Sequence, residues 1–172
     1  MKNVLCAMAV LVSIFIIFAC QKAVSYSAIP QISLNSYTFV DTVDTSTRQI
    51  RVKLLTISLH FTDGDGDLFT QYPDTSSKNL RSKIHLSFYK KENGIYTLVP
   101  DSFWNTPYNF TFPYSYVMDR SGQNKTQKGT IEFSNYFFPG FPFDTAQVEC
   151  SIMDIAGNQS NKVRLPKDLI FK

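Results

Sequence analysis

The sequence predicts an all-β protein: an antiparallel sandwich of about seven to nine strands behind an N-terminal export signal. Three observations carry that expectation. Composition is the first. The 172 residues include 15 Phe and 9 Tyr, and aromatic and β-branched residues outweigh the Ala-Leu-Glu-Lys mixture of helical proteins. Periodicity is the second. Apolar residues recur at every other position in short runs separated by turn residues, and no run keeps a helical period. The third is the N-terminus, where Lys2 precedes an uncharged apolar run from Val4 to Ala19. That run is short for a membrane span and suits the apolar region of a signal peptide. The chain behind it is long enough for one domain with a sizeable core.

The elements follow in order. Residues 1–19 read as the signal and residues 20–35 as a polar, irregular tether containing Pro30, which leaves residues 36–172 as a single domain. Ser36 to Val40 is an edge strand, and Thr42 to Thr47 is a polar turn. In the next run Ile50, Val52 and Leu54 alternate with Arg51 and Lys53. Leu55, Ile57, Leu59 and Phe61 then alternate in the opposite phase. A one-residue slip of this kind predicts a β-bulge at Leu54-Leu55. Ile84, Leu86 and Phe88 form a further strand, and Asn93-Gly94 is a hairpin turn leading into Ile95 to Val99. Phe110 to Met118, Thr130 to Tyr136 and Val148 to Ile152 alternate again, and Val163, Leu165, Leu169 and Phe171 close the fold. Phe137 to Phe143 is interrupted by two prolines, Pro139 and Pro142, and cannot be regular strand.

The signal ends in Ile17-Phe18-Ala19-Cys20. This resembles a bacterial lipoprotein signal, in which an aliphatic residue stands three before the cysteine and a small one directly before it. Ile17 and Ala19 match, while Phe18 is bulkier than usual. The resemblance implies cleavage before Cys20, a diacylglyceryl group on its sulfur and acylation of its new amino group. Several acyl chains anchor stably where one is marginal. Gln21 is not the aspartate that retains such proteins in the inner membrane, which points to the outer membrane. Gln21-Lys22-Ala23-Val24 lacks early acidic residues, which points to its periplasmic face. A plain secretory signal or a short N-terminal anchor is the other reading of the same residues. With Cys6 cleaved off and Cys20 lipidated, Cys150 has no disulfide partner. A net charge of +3 without a basic stripe argues against nucleic acid.

The chemistry concentrates in Asp63-Gly64-Asp65-Gly66-Asp67. Three carboxylates this close repel one another, and the glycines let the backbone fold tightly enough to converge them. Calcium accepts 6 to 8 carboxylate and carbonyl oxygens in flexible geometry and relieves that repulsion. A second acidic turn, Asp154-Ile155-Ala156-Gly157-Asn158, lies in the loop that a sandwich of the immunoglobulin type would place at the same end. The expected ligands are therefore Asp63, Asp65, Asp67 and Asp154, completed by Asn158 or backbone carbonyls. Asp-Gly repeats are also ordinary turn chemistry, and the residues alone leave both readings standing.

The two acidic motifs, with the Asp-x-Ala-Gly-Asn-x-Ser form of Asp154 to Ser160, resemble a group of Bacteroidetes lipoproteins with immunoglobulin- or fibronectin-like sandwiches. The resemblance covers roughly residues 30–172 and implies a fold and a location, with no particular activity. Cys150 lacks a partner and Trp104 lies outside the strand of a core tryptophan, so the fibronectin-like variant fits better. Asp41-Thr42-Val43 and Asp144-Thr145-Ala146 match the O-glycosylation pattern of that phylum, at Thr42 and Thr145.

Catalysis finds little support. His60 and His85 lie on the polar phase of consecutive strands and lack a third ligand, Cys150 reads as a buried thiol, and no serine sits near a base. Trp104 and Tyr108 are candidates for stacking sugar rings, although alternating Phe and Tyr more often fill a sandwich core. The expectation is a non-enzymatic, lipid-anchored module that binds or scaffolds an envelope protein or glycan. A glycan-binding accessory of a sugar-uptake system is the alternative.

Overall fold

The computed structural model describes residues 26–45, 49–68, 83–103, 109–111 and 126–172. Nine strands run through them: β1 (Gln31–Asp44), β2 (Ile50–Asp63), β3 (Lys83–Glu92), β4 (Ile95–Leu98), β5 (Asn109–Thr111), β6 (Gln127–Phe137), β7 (Thr145–Met153), β8 (Val163–Arg164) and β9 (Leu169–Ile170). A 3-10 turn spans Asp101–Phe103, and the described residues contain no α-helix. Every strand pairing is antiparallel. One sheet has the order β1-β2-β6; the other has the order β4-β3-β7-β8, with β5 beside β3 and β9 beside β7.

The core lies between the two sheets. Leu55, Ile57 and Leu59 of β2 are fully buried against a layer that includes Phe88 of β3 and Val148 and Ile152 of β7. Strict alternation on β3 puts Ile84, Leu86 and Phe88 inward, as the sequence predicts. Cys150 is a free, buried thiol in the same layer. Its burial pushes its pKa up to about 12, so it is no nucleophile at neutral pH. The hairpin at Asn93-Gly94 forms as expected: both residues take positive φ, 50° and 81°, and Glu92 pairs directly with Ile95.

Other expectations are corrected. The polar segment read as tether already contains a strand, since β1 begins at Gln31, ahead of the expected boundary at 36. Ile32 is a core residue there, and Asn161 binds its backbone like a neighbouring strand. The Asn161 Oδ1 accepts the Ile32 N–H at 2.8 Å and its Nδ2 donates to the Ile32 carbonyl at 2.9 Å. The bulge is also elsewhere. The β1–β2 ladder runs unbroken through Leu54 and Leu55, and its register shifts between Leu34 and Ser36 on the partner strand. Both faces of β2 carry apolar residues: Leu54 stands between Val40 and Tyr136 on the outer face, so the phase change marks two occupied faces rather than an inserted residue. Thr42 to Asp44, read as a turn, continue β1. Of the run from Phe110 to Met118 only its beginning, in β5, belongs to the described residues.

Candidate metal centre

Strand β2 delivers Asp63 to one end of the sandwich, and β7 delivers Asp154 to the same end. The two strands lie in different sheets, so only the closure of one sheet over the other brings them together. One carboxylate oxygen from each of Asp63, Asp65, Asp67 and Asp154 lies within 4.8 Å of the other three. That is the span across a calcium shell, whose ligand oxygens sit about 2.3–2.6 Å from the ion.

The backbone wraps tightly to achieve this. Gly66 adopts φ 71°, a left-handed conformation that turns the chain between Asp65 and Asp67. Leu68 then drops back into the core with no exposed surface. Its N–H donates to the Asp63 Oδ2 at 3.0 Å. The two loops are tied directly, because the Ala156 N–H donates to the Asp67 Oδ2 at 3.1 Å. Asn158 serves a purpose the sequence did not suggest. Its N–H and its Nδ2 donate to the two oxygens of Asp154 at 2.7 and 2.8 Å, which orients that carboxylate.

The remaining oxygens are the unusual feature. Asp63 is 0% exposed. The Oδ1 atoms of Asp63, Asp65 and Asp67 are all shielded from solvent and accept no hydrogen bond. A buried carboxylate oxygen without a donor costs far more than an ordinary turn requires. The strain registers as proton affinity. Burial first, then the facing Asp65 carboxylate and repulsion from Asp67, push Asp63 from 3.8 up to about 7. Burial, then repulsion from Asp154 and Asp65, push Asp67 up to about 6. Acceptor atoms of this kind are satisfied by a cation, by protons or by water.

Gly64, between the first two aspartates, approaches the N-terminal segment closely. Its N–H donates to the Ser27 carbonyl at 2.8 Å. A Cβ at this position would lie 2.4 Å from the carbonyl oxygens of both Tyr26 and Ser27. The Lys128 ammonium caps the Tyr26 ring at 3.6 Å from its centre. The sequence marked Gly64 for flexibility, and its work here is to admit another stretch of backbone.

The other candidates are dispersed. His60 and His85 do not face each other, because β2 and β3 belong to different sheets. The His60 Nδ1 is 2.9 Å from the Thr130 Oγ1, and His85 lies 3.6 Å from Asp101. Thr42 and Thr145 stand in strands, half-buried and opposite Val52 and Ile170. Cys20, Trp104 and Tyr108 lie outside the described residues. The fold and the site together define an antiparallel all-β protein with a four-aspartate pole. No family model, curated protein or solved structure matches the chain.

Proposed function

We propose that the protein is a non-catalytic, lipid-anchored module of the bacterial outer membrane that binds or scaffolds an envelope partner and is stabilised by one Ca2+ at its acidic pole. Two observations carry the calcium reading: four aspartates each bring a carboxylate oxygen within 4.8 Å of the others, and three of them, Asp63, Asp65 and Asp67, also hold a buried oxygen without a donor. Four carboxylates supply part of a shell of 6 to 8 oxygens, with backbone carbonyls and water as the natural remainder. Magnesium holds its own waters more tightly and is served less well by an all-carboxylate cage.

The anchor reading rests on Ile17-Phe18-Ala19-Cys20, and the docking of Ser27 gives it a geometric consequence. Ser27 is seven positions beyond Cys20, a reach of at most about 25 Å. An acyl group on Cys20 therefore holds the acidic pole within about 25 Å of the bilayer. Isothermal titration tests the metal site: one Ca2+ per chain is expected, with binding lost in Asp65→Asn. A wild-type chain that takes up no Ca2+ would return the motif to plain turn chemistry.

A further inference from the structure

The opposite end of the sandwich carries a site of different character. Arg51 and Asp63 are 12 positions apart on β2, about 40 Å of strand. There the two sheets open on a cavity of about 150 Å³, whose lining includes Arg51, Lys53, Phe137, Phe138, Phe141 and Phe171. Its aromatic wall is fixed by its own packing. Phe141 stacks on Phe171 with ring centres 4.1 Å apart, and Phe137 meets both edge-on at 5.1 and 5.2 Å. A preformed apolar cavity of about this volume accommodates one six-membered ring.

The charge at the mouth is not balanced. Lys53 is held by Asp41 at 2.9 Å, and Asp41 is the third charged residue of the lining. The Arg51 guanidinium has no hydrogen-bond or ion-pair partner among the described residues. Two cations against one carboxylate leave a single positive charge, on a planar fork suited to bidentate carboxylate recognition.

We propose that this pocket binds a small aromatic carboxylate, its ring against the wall of Phe138, Phe141 and Phe171 and its carboxylate on Arg51. The site is independent of the calcium reading and gives the binding module a ligand end on the side away from the lipid anchor. The occupant is a ring of phenyl size bearing one acidic group on a short arm, either as a free acid or as the C-terminal phenylalanine of a peptide.

The test is ligand-observed fluorine NMR with 4-fluorophenylacetate against the full chain in lipid nanodiscs, with empty nanodiscs as blank. The acid should broaden and saturate, while the neutral 4-fluorophenylacetamide should bind at least tenfold more weakly. Arg51→Gln, an exposed substitution, should abolish that discrimination. Phe138→Ala, at a ring that is 49% exposed, should weaken acid and amide alike. Acetate should not displace the probe. Gly-Gly-Phe displacing it assigns the site to peptide C-termini; its failure to displace assigns the site to free acids. The results should be the same in EDTA, so loss of the calcium site leaves this one standing. No saturation by the acid, equal binding of acid and amide, displacement by acetate, or discrimination that survives Arg51→Gln would each overturn the proposal.

Discussion

Protons and calcium compete for the same oxygens at the acidic pole, and this fixes the sign of a stability measurement. A carboxyl whose pKa rises on folding binds its proton more tightly in the folded chain than in the unfolded one. Without metal, the stability contributed by Asp63 is thus complete below pH 4 and is lost as pH climbs toward about 7. The rise from 3.8 to about 7 sets a ceiling of roughly 4 kcal/mol, of which about 2 falls between pH 5 and 7. Asp67 belongs to the same cluster, and its shift is not added. For a domain of this size that loss lowers Tm by about 7 °C. Calcium acts in the opposite direction, since it needs the deprotonated oxygens. At 100 times its dissociation constant it restores about 2.7 kcal/mol near neutral pH and little at pH 4. Differential scanning calorimetry of the chain from Gln21 onward, in EDTA and in millimolar Ca2+ from pH 4 to 7.5, should give two curves that meet in acid and diverge toward neutrality. Asp63→Asn keeps an acceptor for the Leu68 N–H and removes the charge. It should flatten the EDTA curve and close the gap. A gap that does not change with pH, or one that persists in Asp63→Asn, refutes the shared-oxygen argument.

Three further outcomes are expected. Gly64→Ala places a methyl 2.4 Å from the Tyr26 and Ser27 carbonyls, so it should expel that segment at a cost of about 1–3 kcal/mol and speed proteolysis ahead of Gln31. Asn161→Ala strands the N–H and carbonyl of buried Ile32 and should cost about 1–3 kcal/mol, read as a lower urea midpoint at unchanged slope. Cys20→Ala should move the protein from the membrane fraction to the soluble one, with calcium binding by the released chain unchanged.

Much of the fold was legible because strands announce themselves by a period of two. Ile84, Leu86 and Phe88 point inward as their spacing requires, and Asn93-Gly94 turns as that dipeptide readily does. Alternation fails where a strand carries apolar residues on both faces. The slip at Leu54-Leu55 imitated a bulge, whereas the actual register shift at Leu34 carries no hydrophobic signature. The strand around Ile32 was hidden for a related reason: an edge strand with polar neighbours resembles a tether until a remote side chain pairs with its backbone.

The sequence by itself determined the inventory of the site: three aspartates spaced by glycine, and a second acidic turn some ninety residues later. Local chemistry supplies those carboxylates whatever the topology. Tertiary structure decided the rest. Placing β2 and β7 in facing sheets makes Asp63 and Asp154 neighbours. The same closure buries the Asp63 Oδ1 without a donor, turns Asn158 into the partner of Asp154 and brings Ser27 onto Gly64. Burial and convergence are long-range properties, set by which sheet covers which, and no window of neighbouring residues encodes them.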